Sequence, residues 1–360
     1  MTRYQMPVGP LHVALEEPMY FKLDLEGETI KGLHISAGHV HRGMEYLVMK
    51  RNFYQNITLT ERICSLCSNS HPTTFCMALE EIAGIEVPPR GHYLRVIADE
   101  IKRVASNLFN VGIMAHIIGF TSLFMHVLET REIVQDIKET LYGNRMDLGA
   151  NCIGGVKYNL DAERIAYLIT RLNEIEPAVA EIHQIYSTHR SILTRTRGVG
   201  VLPLTIAREY GLIGPVARAS GVEYDVRAKT PYAIYPELDF TTMTRPDGDV
   251  WSRAMVRLDE VQMAIKLIRQ CLTQLPDGPV AIVGMPTIPA GEAVAKTEAP
   301  RGELIYYLRT NGTDMPERMK WRVPSYPNWD ALHVMMRDNT VADVALIVNS
   351  IDPCISCTER

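Results

Sequence analysis

Two Cys-x-x-Cys pairs stand near opposite ends of the chain: Cys64-Ser65-Leu66-Cys67, and Cys354-Ile355-Ser356-Cys357 just before the final Arg360. Four of the seven cysteines are spent on these two identical spacings. Two residues between thiolates form a tight turn, so each pair can converge on one metal. Three chemistries fit such a set: a structural zinc, an iron–sulfur cluster, or a catalytic transition metal. Zinc ribbons place their pairs roughly 15 to 20 residues apart, because the metal substitutes for a small core. Here nearly the whole chain separates the pairs, and a chain this long needs no staple. A metal joining the two ends is therefore expected to serve function rather than folding. On spacing alone the zinc and cluster readings stay open.

Other polar residues carry weaker signals by themselves. Glu45, near Arg42, reads as an exposed or salt-bridged glutamate, and Arg301, near Glu303, as a surface or capping arginine. Pro324-Ser325 is an ordinary turn, and His71 could be a satisfied buried histidine. His39 and His41 alternate like strand neighbours without an evident third ligand. His116 and His126 fall on an expected buried helix, where polar core packing explains them. Cys76, Cys152 and Cys271 are isolated and read as small apolar residues.

The bulk composition bounds the rest. The chain has 360 residues, 46% hydrophobic and 22% charged, as in soluble globular proteins. A net charge of −5 gives no reason to expect nucleic acid or an anionic membrane as partner. Met1-Thr2-Arg3-Tyr4-Gln5 offers no apolar signal core. The best apolar run, 111–128, is interrupted by His116, Gly119 and His126, so no membrane span is expected. The cysteines are then expected to be reduced, and seven is an odd number for a disulfide framework.

The elements that must position these residues can be outlined from periodicity. Residues 10–15 read as β structure, and 20–25 with 29–35 as a hairpin across Glu26-Gly27-Glu28. Helices are expected over 46–59 and 77–83, then a long one over 90–128. In the last, Leu94, Ile97, Ile101, Val104 and Leu108 recur at helical spacing with Asp99, Glu100, Lys102 and Arg103 between them. Two more helices are expected over 161–194, capped by Asp161, and 251–275. Loops with short helices fill 196–245, and short strands and turns fill 279–345. The expected fold class is mainly α with β decoration (α+β), a long-helix bundle with an N-terminal β-hairpin. No linker divides the chain, so one domain over 1–360 is expected: an N-terminal β region over 1–45, a helical core over 46–275, and a mixed region over 276–360 returning to the metal site.

The residues around the cysteines carry a resemblance. Glu61-Arg62-Ile63-Cys64-Ser65-Leu66-Cys67-Ser68-Asn69-Ser70-His71-Pro72, with Asp352-Pro353-Cys354-Ile355-Ser356-Cys357, resembles the large subunit of nickel–iron hydrogenases. The match is closer still to their energy-converting, membrane-bound branch, which includes the carbon-monoxide-linked enzymes. It runs along nearly the whole chain through His41-Arg42-Gly43-Met44-Glu45, Gly154-Gly155-Val156, Glu298-Ala299-Pro300-Arg301-Gly302-Glu303 and Val323-Pro324-Ser325-Tyr326. The resemblance implies a Ni–Fe(CN)2(CO) centre, with Cys64 and Cys354 as terminal nickel ligands and Cys67 and Cys357 bridging nickel and iron. It makes Glu45 the proton relay, a job for which partial burial should raise its pKa. It places Arg301 over the metals, where a guanidinium can hydrogen-bond cyanide. His71 would donate to a bridging thiolate, while Pro324 and Ser325 would shape the pocket for the diatomic ligands.

The reaction implied is reversible heterolytic cleavage of H2, acting mainly in proton reduction and coupled to ion translocation in some members. Its partners would be a small subunit with a 4Fe–4S cluster, further ferredoxin-like subunits, and membrane subunits holding the complex on the cytoplasmic side of the cell membrane. The segments Val8-Gly9-Pro10-Leu11-His12, His41-Arg42-Gly43 and Gly154-Gly155 also resemble the quinone-site subunit of respiratory complex I. A quinone-site scaffold is thus the alternative from another class, and retention of both cysteine pairs argues against it. Two departures mark the branch: Ser65 stands where uptake hydrogenases usually have Gly, and Arg360 where they usually end in a His that binds a divalent ion. The second speaks against a C-terminal magnesium site. With nothing after Arg360, the chain is expected to be a mature form or one that needs no C-terminal cleavage.

Overall fold

The computed structural model describes residues 3–12, 15 and 17–360. Strands β1 (Arg3–Val8), β2 (Tyr20–Glu26) and β3 (Thr29–Ser36) form an antiparallel sheet in that order. The expected hairpin is β2–β3, with Phe21, Leu23 and Leu25 facing inward at alternate positions. The strand expected over 10–15 includes Val13 and Ala14, which lie outside the described residues; Pro10, Leu11, His12 and Leu15 are in no strand.

Three helices bracket the first cysteine pair: α1 (Met44–Val48), α2 (Phe53–Glu61) and α3 (Ser70–Ala83). Asn52 caps α2 in a capping box with Gln55, which divides the single helix expected over 46–59. The long helix expected over 90–128 is likewise two, α4 (Pro89–Ile118) and α5 (Thr121–Tyr142). Gly119 divides them in a left-handed conformation at φ 90°, taking up the last carbonyls of α4. Apolar residues continue on both sides of Gly119, so periodicity alone did not mark the break.

A second correction concerns α4. Asp99, Glu100, Lys102 and Arg103, spaced as a polar face, are all buried. α4 packs on α5 and also on α11 (Val250–Gln274) and α14 (Val344–Ser350), so it has no solvent side over this stretch. Between them run a two-stranded ribbon, β4 (Asn151–Cys152) and β5 (Gly155–Val156), and then α6 (Ala162–Thr188), capped by Asp161 as expected. His189 ends α6, and α7 (Arg190–Thr196) follows. The loop-rich region holds α8 (Leu204–Glu209), α9 (Gly214–Arg218) and α10 (Val226–Lys229).

The C-terminal region is more regular than expected. Strands β6 (Ala290–Ala299), β7 (Gly302–Asn311) and β8 (Pro316–Arg322) form a second antiparallel sheet whose first two strands span ten residues each. Short helices α12 (Ser325–Asn328), α13 (Ala331–Met336), α14 and α15 (Ile355–Glu359) then return the chain to its beginning. One hydrophobic core joins the first sheet to the long helices. A second joins α1–α3 to the β6–β8 sheet and includes the four paired cysteines.

Candidate metal centre

Cys64 and Cys67 lie on the loop between α2 and α3, while Cys354 caps α15 and Cys357 lies within it. The four sulfurs are buried, unbridged, and all within 4.8 Å of one another. Cys67 Sγ and Cys357 Sγ are 3.9 Å apart. Hydrogen bonds from Cys354 and the other two thiols hold the Cys67 thiol well below its ordinary range, whereas burial pushes Cys357 well above it. Four thiolates this close and this dry need a metal cation to share their charge. An all-sulfur donor set suits soft or borderline transition metals and disfavours magnesium or calcium.

One side of the cluster is open. Cys64 and Cys354 line a cavity of about 410 Å³ with Glu17, Leu66, Phe109, Arg131 and Arg301. Structural zinc sites are closed, whereas catalytic metals keep an accessible position. The geometry therefore fits a reactive centre, and Cys64 and Cys354 are the two cysteines that face its open side.

Arg301 sits in the turn between β6 and β7. Its Nε donates to the Asp352 carbonyl and its Nη2 to Asp352 Oδ1, both at 2.7 Å. Burial opposes its charge, but Asp352 and the thiolates raise its pKa, so it stays a cation. The turn is pinned from behind: a Cβ on Gly214, at φ +67°, would lie 2.1 Å from the Arg301 carbonyl. His71 places Nε2 3.5 Å from Cys357 Sγ and Nδ1 2.7 Å from Tyr306 Oη. Burial keeps Tyr306 protonated, so its hydroxyl donates to Nδ1 and the His71 proton lies on Nε2, towards sulfur. Pro324 caps α12, and Ser325 Oγ accepts the Cys354 amide at 3.0 Å, leaving its own proton for another acceptor.

Glu45 departs from expectation. Its carboxylate accepts from Lys320 Nζ at 2.6 Å and Arg360 Nε at 2.8 Å. Burial raises its pKa, but the hydrogen bonds from Lys320 and Arg360 outweigh burial and hold it below the ordinary glutamate value. Arg42 turns elsewhere, donating to the carbonyls of Arg62 and Ile63. Glu45 borders a separate surface hollow with His41, Tyr326 and Arg360. His41 Nδ1 meets the Glu359 carbonyl at 2.5 Å, so it holds the tail. His116 is exposed beside Phe124, and His126 is half-buried near Glu181. Core packing explains neither, because both sit near the α4–α5 break. Cys76 and Cys271 are buried as expected, and Cys152 is partly so.

Two site residues escaped the sequence reading. Glu17 lines the cysteine cavity and accepts the Ser356 amide at 2.7 Å, with the Ser356 hydroxyl on its other oxygen. It stands at no fixed spacing from either pair, and only its place before β2 could have flagged it. Asp352 was visible two residues before Cys354 but had no assigned task.

Comparison with known proteins agrees with this geometry. Residues 118–287 and 282–360 match the family of the respiratory-chain NADH dehydrogenase 49 Kd subunit, and residues 42–110 match the nickel-dependent hydrogenase family. The chain is 64% identical to the carbon monoxide-induced hydrogenase of Rhodospirillum rubrum over the full length of both. It is 36% identical to the membrane-bound hydrogenase subunit alpha of Pyrococcus furiosus, over 99% of this chain and 87% of that one. Among solved structures, a chain of the membrane-bound sulfane sulfur reductase, an archaeal respiratory membrane complex, superposes with a TM-score of 0.94 at 29% identity, covering 99% and 98% of the two chains.

Proposed function

Since the chain belongs to the large-subunit family that nickel-dependent hydrogenases share with the 49 Kd subunit of respiratory NADH dehydrogenase, we propose that it is the catalytic subunit of an energy-converting nickel–iron hydrogenase. Its reaction is the reversible heterolytic cleavage of H2, running mainly towards reduction of protons. The observation that carries this reading is the cluster of four buried cysteines with only Cys64 and Cys354 facing an open cavity. In this reading Cys64, Cys67, Cys354 and Cys357 would hold the metals, with Cys64 and Cys354 on the side open to the cavity. A Ni–Fe(CN)2(CO) centre, when bound, supplies the polarisation of H2 and the storage of its electrons.

The protein's own residues do the rest. Arg301, fixed by Asp352, presents a permanent cation to the cavity, suited to cyanide. Pro324 and the free proton of Ser325 shape the side of the pocket next to Cys354. His71 Nε2–H steadies the Cys357 sulfur. Glu17 takes the proton at a carboxylate oxygen, because it shares the cavity with Cys64 and Cys354 and bonds Ser356 between the tail cysteines. Glu45, the relay expected from the resemblance, serves instead to hold the tail through Arg360. Two cations already share the Glu45 carboxylate, and their positive charge opposes a divalent ion at the C-terminus.

The two ends supply the ligands jointly, so residues 1–360 act as one domain. Apart from the four cysteines, no cluster of His, Cys or acidic side chains with ligating geometry occurs among the described residues. Electrons must therefore reach the site from a partner. A small subunit with a 4Fe–4S cluster is the expected donor, with ferredoxin-like and membrane subunits beyond it. No helix among the described residues is long and apolar enough to cross a membrane. In the reading proposed here the chain is a peripheral subunit on the cytoplasmic side of the membrane, its turnover coupled to ion translocation; membership of its relatives in membrane-bound complexes supports the peripheral part. Infrared spectroscopy of the purified complex tests the reading. Bands of iron-bound cyanide and carbon monoxide are expected, and their absence from a sample loaded with nickel would overturn it.

A further inference from the structure

Arg253 and Arg257, two fully buried arginines one turn apart on α11, are used very differently. Arg253 spends Nε on Ser350 Oγ at 2.9 Å and its two Nη atoms on the Gly248 and Gly200 carbonyls at 2.7 and 2.9 Å. Its donors are filled by the fold around it. Among the described residues Arg257 makes one direct hydrogen bond, from Nη1 to the Arg253 carbonyl at 2.9 Å. Its Nε and Nη2 are buried without a partner. Unused donors on a buried cation are costly, so they call for an acceptor. Asp352 and Glu260 support the Arg257 charge, while burial, Arg301 and Arg218 oppose it. Glu260 does not fill the gap: Oε1 pairs with Arg218 at 2.6 Å, and Oε2 accepts from Asn107 Nδ2 at 3.3 Å.

The remaining acceptor is Asp352. Its carbonyl and Oδ1 both take hydrogen bonds from Arg301, whereas Oδ2 is buried without a partner. Oδ2 stands 4.0 Å from Arg257 Nε, too far for a direct bond and suited to a bridging water. Asn107 Oδ1 is buried and unpartnered too, on a side chain whose Nδ2 reaches the Arg257 carbonyl at 3.4 Å. Open donors and acceptors on neighbouring side chains are the setting in which buried water is held. The backbone is bent to bring Asp352 here. It takes a left-handed conformation at φ 54°, and its amide donates to the Asn349 carbonyl at 2.8 Å. Asn110 Nδ2 on α4 donates to the same carbonyl at 2.9 Å.

We propose that Arg257 is a positioning residue for Arg301, acting through a water that joins Arg257 to Asp352 Oδ2. With Oδ1 held by Arg301 and Oδ2 by that water, the carboxylate cannot turn about its own bond. Arg301 then keeps Nε and Nη2 on Asp352, and its guanidinium stays at the wall of the cavity beside Cys64 and Cys354. Without the Arg257 fork the carboxylate is free to turn, and Arg301 loses its fixed direction. Arg257 itself does not line the cavity. Its influence on the metals therefore passes through Asp352 and Arg301, as an outer partner orients an inner one.

The clamp stands on geometry; only its effect on turnover rests on the hydrogenase reading. A water-resolving electron cryo-microscopy map of the purified complex tests the clamp itself. One ordered water should lie within about 3.2 Å of both Arg257 Nε and Asp352 Oδ2. A direct contact between the two, or Oδ2 turned to another group, would overturn the proposal. Arg257→Lys keeps the buried cation but removes the fork. It should retain nickel, shift the bands of iron-bound cyanide, and slow hydrogen–deuterium exchange by about tenfold or more. Bands and rates equal to the wild type would be fatal. In an Arg301→Lys background the same substitution should add no further loss, because the residue it positions is already gone. An equal loss in both backgrounds would make Arg257 a support of the fold and overturn the proposal. If Arg257→Lys fails to assemble, Asn107→Ala enters the same cycle, with the outcomes read in the same way. Nickel content and the wild-type cyanide bands report separately on the hydrogenase reading.

Discussion

Glu17 accepts hydrogen bonds from Ser356, between the two tail cysteines, whereas Glu45 is bracketed by Lys320 and Arg360. Only the first borders the cavity of Cys64 and Cys354. Glu17→Gln should therefore lower hydrogen–deuterium exchange by about 100-fold or more, the scale of a lost general acid–base, with nickel retained; exchange at the wild-type rate would remove Glu17 from the proton path. Glu45→Gln should instead act on stability, by about 1 kcal/mol for a partly exposed pair. The sign follows from its lowered pKa. The pairing stabilises the fold above the ordinary glutamate value and is lost as pH falls through the lower folded value. Thermal unfolding of the two proteins should differ near neutrality and converge in acid; a gap that persists in acid would contradict the assignment. At this scale the cysteines were legible because their type and spacing are distinctive, and Arg301 only through the resemblance carried by Ala299-Pro300-Arg301-Gly302. Glu17 was not, because a carboxylate brought in by a loop has no spacing to betray it.

At the scale of elements, the turn that carries Arg301 is held against the start of α9, glycine to glycine. Gly214 meets the Arg301 carbonyl and Gly302 Cα, and both glycines have positive φ. Gly214→Ala should cost about 2–4 kcal/mol through clash and left-handed strain, read as a lowered Tm of the complex. Wild-type stability would show that this contact does not position Arg301. The hairpin and the Asp161-capped helix were legible because turn residues and caps act locally. The division of α4 from α5 was hidden, since a glycine within apolar sequence can either stay in a helix or end it. The buried charges of α4 were misread because periodicity shows only that a helix has two kinds of face. It says nothing of whether distant elements bring partners to the polar one.

At the scale of the whole molecule, the chain's two ends meet at one cluster of four cysteines. That meeting was legible because the two pairs repeat one spacing. Its construction was not, since the loop after α2, the β6–β7 turn and α15 converge only through the packing of the second core. The tail closes the site where the Val40 amide donates to Glu359 Oε2, His41 Nδ1 meets the Glu359 carbonyl and Arg360 Nε donates to Glu45. Nickel-edge X-ray absorption on the purified complex tests this most directly. Bound nickel surrounded by sulfur is expected, with about four thiolate ligands and a diminished sulfur shell in Cys64→Ser. Zinc in place of nickel, or nickel held by nitrogen and oxygen alone, would contradict it.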